Sequence, residues 1–225
     1  MNFGRYAIYF TPQGQLGARG AAWLGWDSAQ GQPAPQPDFP GVDLARITQK
    51  PRRYGFHATI MAPFSLRAGQ SQGDLIAACA AAFQGLAAAQ ADGLRLAVRH
   101  GFLALIPTGD QAAIRALAAQ VVTDLAPLRA PLTPDQQERR SRANLTAQQR
   151  HNLAAWGYPY VMDDFDFHIT LTGRLGQAQC VDVLTALAPF IAPHLPNPFR
   201  VAKLTLMGED ADGFFHQITD WPLQG

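Results

Sequence analysis

The sequence of 225 residues has few cysteines, few lysines and no marked excess of charge. Its 2 cysteines, Cys79 and Cys180, form no CxxC pair and no dense disulfide framework. Both fall in helical apolar patterns, so we expect two buried thiols. Lys50 and Lys203 are the lysines among 18 basic residues, and the others are arginines. This arginine excess is typical of a G+C-rich genome, and it also suits planar, bidentate recognition of phosphate or carboxylate.

Positive charge and long apolar runs are also scarce. The formal net charge is +1, whereas proteins that grip long nucleic acid usually carry a strong basic excess. No apolar run approaches the roughly 18 residues of a membrane span. The N-terminal segment carries Arg5 and becomes polar too early for a secretory signal. We therefore expect a cytoplasmic protein with no membrane or long nucleic-acid partner, and the oligomeric state stays open.

Apolar residues make up 48% of the chain, which is enough to bury a core and excludes a disordered polymer. Their spacing predicts strands over residues 5–10, 54–62, 94–98, 102–106, 165–172, 201–207 and 214–218. Helices are predicted over 21–26, after a cap at Asp74, over 114–125, after Thr133, after Thr146 and over 180–187. A proline-rich loop is predicted over 31–41. These elements indicate the α+β class.

The two halves of the chain share an order of elements. In each half a strand with a histidine precedes a helix and then a two-strand hairpin, over residues 54–106 and 165–218. The two histidines, His57 and His168, are 111 residues apart, close to half the chain. We therefore predict a single domain over 1–225 that consists of two lobes, roughly 1–127 and 128–225. Strand exchange between the lobes is left open.

The matched histidines lie in the sequences FHATI (56–60) and FHITL (167–171). Side chains alternate faces along a strand, so the apolar neighbours of each histidine would face the core. His57 and Thr59 would share the opposite face of one strand, and His168 and Thr170 that of the other. A chance arrangement of 6 histidines gives less than one His-x-Thr in this chain, so a matched pair points to a shared site.

Two facing His-x-Thr pairs are suited to acid–base chemistry on phosphorus. One neutral imidazole can accept a proton from water while a protonated one donates to a leaving oxygen. The two hydroxyls can hold the nonbridging oxygens of a phosphate. The alternative is that each imidazole only bonds a neighbour on a polar sheet face. Zinc would need three or four ligands, which the motifs do not offer, so no metal and no cofactor is expected.

The two motifs resemble those of the two-histidine (2H) phosphoesterase superfamily. The longer strings RRYGFHATIMAPF (52–64) and WGYPYVMDDFDFHITLTGRL (156–175) resemble a bacterial branch found with phosphonate-degradation genes and catalogued as a domain of unknown function. The branch often has a cation beside each motif, where this chain has Met61 and Asp166. The resemblance implies two pseudo-symmetric lobes with antiparallel sheets that line a central cleft, and helices packed outside.

The resemblance also implies roles for individual residues. It makes His57 and His168 the catalytic pair and Thr59 and Thr170 the phosphate-holding hydroxyls. Which histidine is the base and which the acid stays open. The substrate-binding candidates flank the motifs: Arg53, Tyr54, Tyr158 and Tyr160.

Three further features are left open by the sequence. Arg53 is the candidate for a second anionic group of the substrate. Asp166 could orient His168 or a substrate hydroxyl, or its carboxylate could be solvated. The basic helix face formed by Arg139, Arg140 and Arg142 is expected to be solvated.

The predicted function is metal-independent hydrolysis of a small cyclic phosphate. The resemblance suggests a ribose cyclic phosphate, such as 5-phosphoribosyl 1,2-cyclic phosphate in phosphonate catabolism. One alternative is an enzyme of RNA ends, either a 2′,3′-cyclic phosphodiesterase or a 2′,5′ RNA ligase-like enzyme. Another is a non-catalytic module that binds a nucleotide or phosphosugar. In each case the partner is a small phosphoester rather than long nucleic acid.

Overall fold

The structure, a computed structural model, describes residues 3–141 and 144–225. Within these ranges it contains nine strands and eight α-helices. The strands are β1 (Arg5–Phe10), β2 (Ala58–Phe64), β3 (Ala89–Ala91), β4 (Gly93–Arg99), β5 (Phe102–Thr108), β6 (Ile169–Thr170), β7 (Phe199–Val201), β8 (Lys203–Glu209) and β9 (Phe215–Pro222). The helices are α1 (Gly14–Leu24), α2 (Leu44–Ile47), α3 (Gln49–Arg52), α4 (Gln72–Phe83), α5 (Ala112–Leu125), α6 (Pro134–Ser141), α7 (Ala147–Trp156) and α8 (Gln177–Ile191).

Seven of the strands form one antiparallel sheet in the order β4-β5-β6-β2-β1-β8-β9. The hairpin β4–β5 comes from the first half of the chain and pairs with β6 of the second half. The hairpin β8–β9 comes from the second half and pairs with β1 of the first. Strands β3 and β7 form a separate two-stranded sheet. The predicted α+β class with antiparallel sheets is confirmed, and the division at residue 127 stays a prediction.

The sheet buries apolar side chains on both faces. One large core contains the inward side chains of the helices together with Tyr6, Ile8 and Phe10 of β1. A second, small cluster lies on the other face and consists of Ala7, Tyr9, Met207 and Phe215. Because side chains alternate along β1, this one strand supplies both clusters. Tyr9 of the small cluster also lines the cleft described below.

Helix boundaries follow the expected capping chemistry. Helix α7 begins at the N-cap Thr146, which exchanges hydrogen bonds with Gln149, and it ends at Gly157 with a φ of 72°. Helix α4 differs from the prediction in one detail. Ser71 is its N-cap, and Asp74 is the third helical residue that completes the capping box. Cys79 and Cys180 lie in helices α4 and α8 and are buried free thiols, as predicted.

Both histidine strands are shorter than predicted. Strand β2 starts at Ala58 rather than residue 54, because Gly55 has a φ of +73° and the chain turns there after helix α3. Strand β6 contains only Ile169–Thr170, since a short 3-10 turn over Met162–Asp164 precedes it. The helix predicted over 21–26 is α1, which starts seven residues earlier and ends before Gly25, at a φ of 80°.

The basic helix that follows Pro134 is confirmed as α6. Arg142, which was predicted to lie on its face, is outside the described residues. In the part of the chain that the structure describes, no helix is both long enough and apolar enough to cross a membrane.

Candidate active site

A single strand pairing brings the two histidine motifs together. Ala58 of β2 is the antiparallel partner of Ile169 of β6, and both are fully buried. In an antiparallel register, this places His57 opposite Thr170 and Thr59 opposite His168. The four polar side chains therefore form one group on the face opposite the large core, which we call the His–Thr quartet.

The two imidazoles are oriented in the same way. Nδ1 of His57 donates to the carbonyl oxygen of Gly55, and Nδ1 of His168 donates to that of Asp166, each at 2.9 Å. A carbonyl oxygen only accepts, so Nδ1 carries the proton in both rings. Nε2 is then the free position of each neutral ring. The hydroxyl of Thr59 lies 3.2 Å from Nε2 of His57 and can donate to it.

The quartet borders a cleft with a volume of about 400 Å³. Thr59 and Thr170 line it together with His57, and His168 is close enough for its charge to act on His57. Two predicted substrate-binding residues, Tyr54 and Tyr158, also line this cleft. Its cationic lining residues are Arg5, Lys50 and Arg140.

His57 is enclosed by aromatic rings. The ring of Tyr9 stacks on its imidazole with centroids 3.8 Å apart and an interplanar angle of 23°. The ring of Tyr54 lies 6.1 Å away and itself stacks on Phe215. Burial lowers the pKa of His57 to about 4; the carbonyl of Gly55 opposes this shift and the charge of His168 adds to it. His57 is therefore neutral near pH 7.

His168 has a more open and more polar environment. Its side chain is 35% exposed, and its Nδ1 lies 3.8 Å from a carboxylate oxygen of Asp166. That carboxylate is held by Arg99 of β4 through contacts of 2.9 and 2.8 Å. The structure thus answers the question about Asp166: its carbonyl orients His168 and its carboxylate pairs with Arg99.

The other two predicted substrate-binding residues lie outside the cleft lining. Arg53 is exposed, and its guanidinium lies near Gly213 in the turn between β8 and β9. Its carbonyl oxygen accepts a hydrogen bond from the backbone of Phe215. Tyr160 is 42% exposed and packs its ring edgewise against Tyr158. Gly55, with a φ of +73°, turns the chain between Arg53 and His57, and Arg53 is not among the residues that line the cleft.

Four charged or aromatic residues of the cleft were missed by sequence reasoning, and one of them is Lys50 of α3. Arg5 and Tyr9 come from β1, and Arg140 from α6. Arg5 forms a two-point ion pair with Glu209 at 2.5 Å. The alternation of Arg5, Ala7 and Tyr9 along a strand could have placed Arg5 and Tyr9 on one face. The expectation that Arg140 lies on a solvated helix face is wrong: it is partly buried and lines the cleft, because α6 packs its guanidinium against the ring of Tyr158.

Residues 3–141 and 144–225 contain no group of three or more His, Cys, Asp or Glu side chains that could hold a metal ion.

The antiparallel sheet brings the two His-x-Thr motifs onto one face. Residues 59–216 match the family described as "Protein of unknown function (DUF1045)". The match covers well over half of the sequence and includes the whole second motif, so the chain belongs to this family. The resemblance to a branch catalogued as a domain of unknown function is thereby confirmed.

Two curated relatives carry the same name, "Ribose 1,5-bisphosphate phosphokinase PhnN". The protein of Janthinobacterium sp. (strain Marseille) is 37% identical over 218 residues, which are 93% of this chain and 48% of the relative. That of Laribacter hongkongensis (strain HLHK9) is 32% identical over 221 residues, covering 89% of this chain and 51% of the relative. The chain thus spans about half the length of the curated relatives it matches.

Solved structures match over the whole length but only loosely. One, described as "Crystal structure of phosphoesterase", is 13% identical with a TM-score of 0.45 and covers 98% of this chain and 99% of its own. E. coli LigT complexed with 3′-AMP is 14% identical with a TM-score of 0.43 and covers 98% of both chains. Likeness at this level says nothing about the reaction.

Proposed function

We propose that the protein is a metal-independent cyclic phosphodiesterase that hydrolyses a small cyclic phosphate. The His–Thr quartet carries the proposal: two imidazoles with unprotonated Nε2 atoms and two hydroxyls share one face of the sheet, and His57, Thr59 and Thr170 line the cleft. A base and an acid on two sides of phosphorus are what in-line displacement at a phosphoester needs.

The environments of the two histidines divide these roles. His57 is neutral near pH 7 because its pKa is about 4, so its Nε2 can accept a proton from water. His168 is 35% exposed, so its imidazole can exchange protons with solvent and is placed to serve as the acid that donates a proton. Thr59 and Thr170 would donate their hydroxyl protons to the nonbridging oxygens of the phosphate.

The proposed step conserves all atoms. A water oxygen bonds to phosphorus while His57 takes one water proton. The bond from phosphorus to one ring oxygen breaks, and His168 protonates that oxygen. The products are a phosphate monoester and a free hydroxyl, and proton exchange with solvent restores both imidazoles. In the free protein the Thr59 hydroxyl faces Nε2 of His57. An oxygen of a bound phosphate would accept the hydrogen bond from that hydroxyl, which would leave Nε2 of His57 without this contact.

The names of the relatives support a ribose substrate. Hydrolysis of 5-phosphoribosyl 1,2-cyclic phosphate at the bond to O2 yields ribose 1,5-bisphosphate, the compound named for both relatives. Together with the resemblance to a branch found with phosphonate-degradation genes, this supports our proposal that the reaction belongs to phosphonate catabolism. A P-loop kinase activity is not supported within these 225 residues, because neither Lys50 nor Lys203 follows the glycine that the GxxxxGK motif requires.

The test is a panel of cyclic phosphates assayed with EDTA, with wild type and the variants His57→Ala and His168→Ala. We expect turnover that chelation does not affect and that falls at least ~10²-fold in either variant. His151→Ala, an exposed histidine of α7, is the matched control and should retain activity. Loss of activity with EDTA, or full activity in both variants, would overturn the mechanism.

The same panel tests the alternatives. Turnover of RNA 2′,3′-cyclic ends without turnover of sugar phosphates would favour the RNA-end enzyme. Binding of phosphate analogues without turnover of any compound would favour the non-catalytic module.

A further inference from the structure

Arg140 carries a positive charge into the cleft, and no carboxylate within residues 3–141 and 144–225 forms an ion pair with it. Among the described residues, its contacts are the carbonyl oxygen of Gly157 and the ring of Tyr158, which its guanidinium carbon overlies at 5.7 Å. Burial lowers the pKa of Arg140, and the charges of Arg5, Arg129 and Arg139 lower it further. A bound anion would stabilise a half-buried guanidinium that lies near other cations.

Tyr9 offers a second unsatisfied group on the same side. The side chain is fully buried, and its hydroxyl finds no hydrogen-bond partner within residues 3–141 and 144–225. Burial raises the pKa of Tyr9 well above its usual range, so the phenol keeps its proton and remains a donor. A buried donor without a partner costs about 1–3 kcal/mol, which a ligand oxygen would recover.

Two further arginines, Arg5 and Arg129, place positive charge near Arg140. Arg5 lines the cleft beside Tyr9 and Arg140, and Glu209 fixes its guanidinium in place. Behind Arg5 and Arg140 lies a small cavity of about 40 Å³ that Arg129 also lines. The Nε of Arg129 is buried and, in the described part of the chain, has no partner. The cavity can hold a few waters but not a ligand, so Arg129 acts through its charge.

We propose that Arg140, Tyr9, Arg5 and Tyr158, which we call the arginine wall, bind a second phosphate group of the substrate, a phosphate monoester. This inference rests on the proposed function, because the first phosphate is the cyclic ester at the His–Thr quartet. The substrate class is thus a sugar cyclic phosphate that carries a separate phosphate monoester. Arg53, to which the sequence assigned this role, lies outside the cleft.

The chemistry of the wall favours a phosphate monoester over other groups. A monoester is dianionic near pH 7 and accepts several hydrogen bonds, which suits guanidinium and phenol donors together. His57, Thr59 and Thr170 of the quartet line the same 400 Å³ cleft as the wall, so one small molecule can reach both. A nucleobase stacked between Tyr54 and Tyr158 is the competing occupant of this side, and it would leave Arg140 unbalanced.

The experiment compares two substrates that differ only in the second phosphate: 5-phosphoribosyl 1,2-cyclic phosphate and ribose 1,2-cyclic phosphate. Wild type should show a kcat/KM at least ~10-fold higher for the phosphorylated compound, since charge-assisted hydrogen bonds contribute about 1.5–3 kcal/mol. Arg140→Gln should lower kcat/KM for the phosphorylated compound at least ~10-fold, mainly by raising KM, and should lower kcat/KM for ribose 1,2-cyclic phosphate much less, so that the preference is lost. Arg139→Gln, an exposed neighbour on α6, is the matched control and should keep the preference.

A binding measurement keeps the inference separate from the proposed function. Ribose 5-phosphate should bind wild type and Arg139→Gln in calorimetry and bind Arg140→Gln at least ~10-fold more weakly. If neither cyclic phosphate turns over, the proposed function fails while this titration still tests the wall. Equal turnover of both substrates by wild type, or an equal loss for both in Arg140→Gln, would overturn the wall and leave the proposed function standing. Tighter binding of a cyclic nucleotide than of the phosphosugar would show that the wall binds a nucleobase instead of a phosphate.

Discussion

Ala58 and Ile169 are cross-strand partners, and this one pairing assembles the His–Thr quartet from residues 111 positions apart. Both side chains are fully buried, so the opposite face of each strand must carry the polar residues on either side of them. A shift of one residue in this register would turn the histidines into the core. The site therefore depends on the same contact that joins the two halves of the sheet.

The hydroxyls of the quartet should contribute to turnover rather than to stability. We expect Thr59→Val and Thr170→Val each to lower kcat/KM about 10–100-fold, because each loses a hydrogen bond to a charged phosphate. Thr59→Ser and Thr170→Ser keep the hydroxyl and should retain most of the activity. Steady-state kinetics checks this, and Val variants as active as the Ser variants would refute the role.

Removal of the Tyr9 hydroxyl should lower turnover without lowering the stability of the fold. Tyr9→Phe keeps the ring that stacks on His57 and removes a buried hydroxyl with no protein partner among the described residues. We expect unfolding in urea to show unchanged or higher stability, since an unsatisfied donor is lost. Turnover of the doubly phosphorylated substrate should fall several-fold. A clear loss of stability would show that the hydroxyl has a partner within the protein.

Rates should follow the protonation of His57. Since its pKa is about 4, the acidic limb of kcat/KM should lie near pH 4 rather than near the usual value of 6.5. Titration of the imidazole signals by NMR, with His57→Gln to assign the peak, measures this directly. A value near 6.5 would contradict the enclosed, neutral base.

The same shift links stability to pH. The folded pKa lies below the unfolded one, so between pH 6.5 and about 4 the unfolded chain binds more protons at this site. The contribution of neutral His57 is complete above pH 6.5 and decreases as the pH falls towards 4, by about 3 kcal/mol at most. The free energy of unfolding in urea, measured for wild type and His57→Gln across this window, should show the difference between the two proteins decrease as the pH falls. Parallel pH profiles would count against it.

The sheet predicts that the halves of the chain do not fold separately. A fragment of residues 1–127 leaves β1 without β8 and the hairpin β4–β5 without β6. We expect it to lack a cooperative thermal transition, because exposed edges and core would remain unpaired. Co-expression with 128–225 should restore the transition. A fragment that melts cooperatively by itself would show two independent units.

Alternation and capping signals explain why much of the fold could be predicted. The apolar faces of both histidine strands and the caps at Thr133 and Thr146 appear locally in the sequence, and the structure has them. The strand limits could not be read in this way, because Gly55 and the turn over Met162–Asp164 break the ladder without breaking the alternation.

The chemistry of the cleft was only partly readable. The quartet could be predicted from two repeated motifs, but the arginine wall proposed for the second phosphate could not. The cations expected beside the motifs are replaced by Met61 and Asp166, while Arg5 and Arg140 reach the cleft from distant elements. Sequence favoured Arg53 because it is near His57 along the chain, and only tertiary packing shows that it points elsewhere.

The most direct test of the account is hydrolysis of 5-phosphoribosyl 1,2-cyclic phosphate in ¹⁸O-labelled water with EDTA present, followed by ³¹P NMR. We predict that wild type forms ribose 1,5-bisphosphate with one ¹⁸O on the phosphorus at O1, and that His57→Gln and His168→Gln are each at least ~10²-fold slower. Formation of the product at the wild-type rate by either variant, or no product without added metal, would contradict the account.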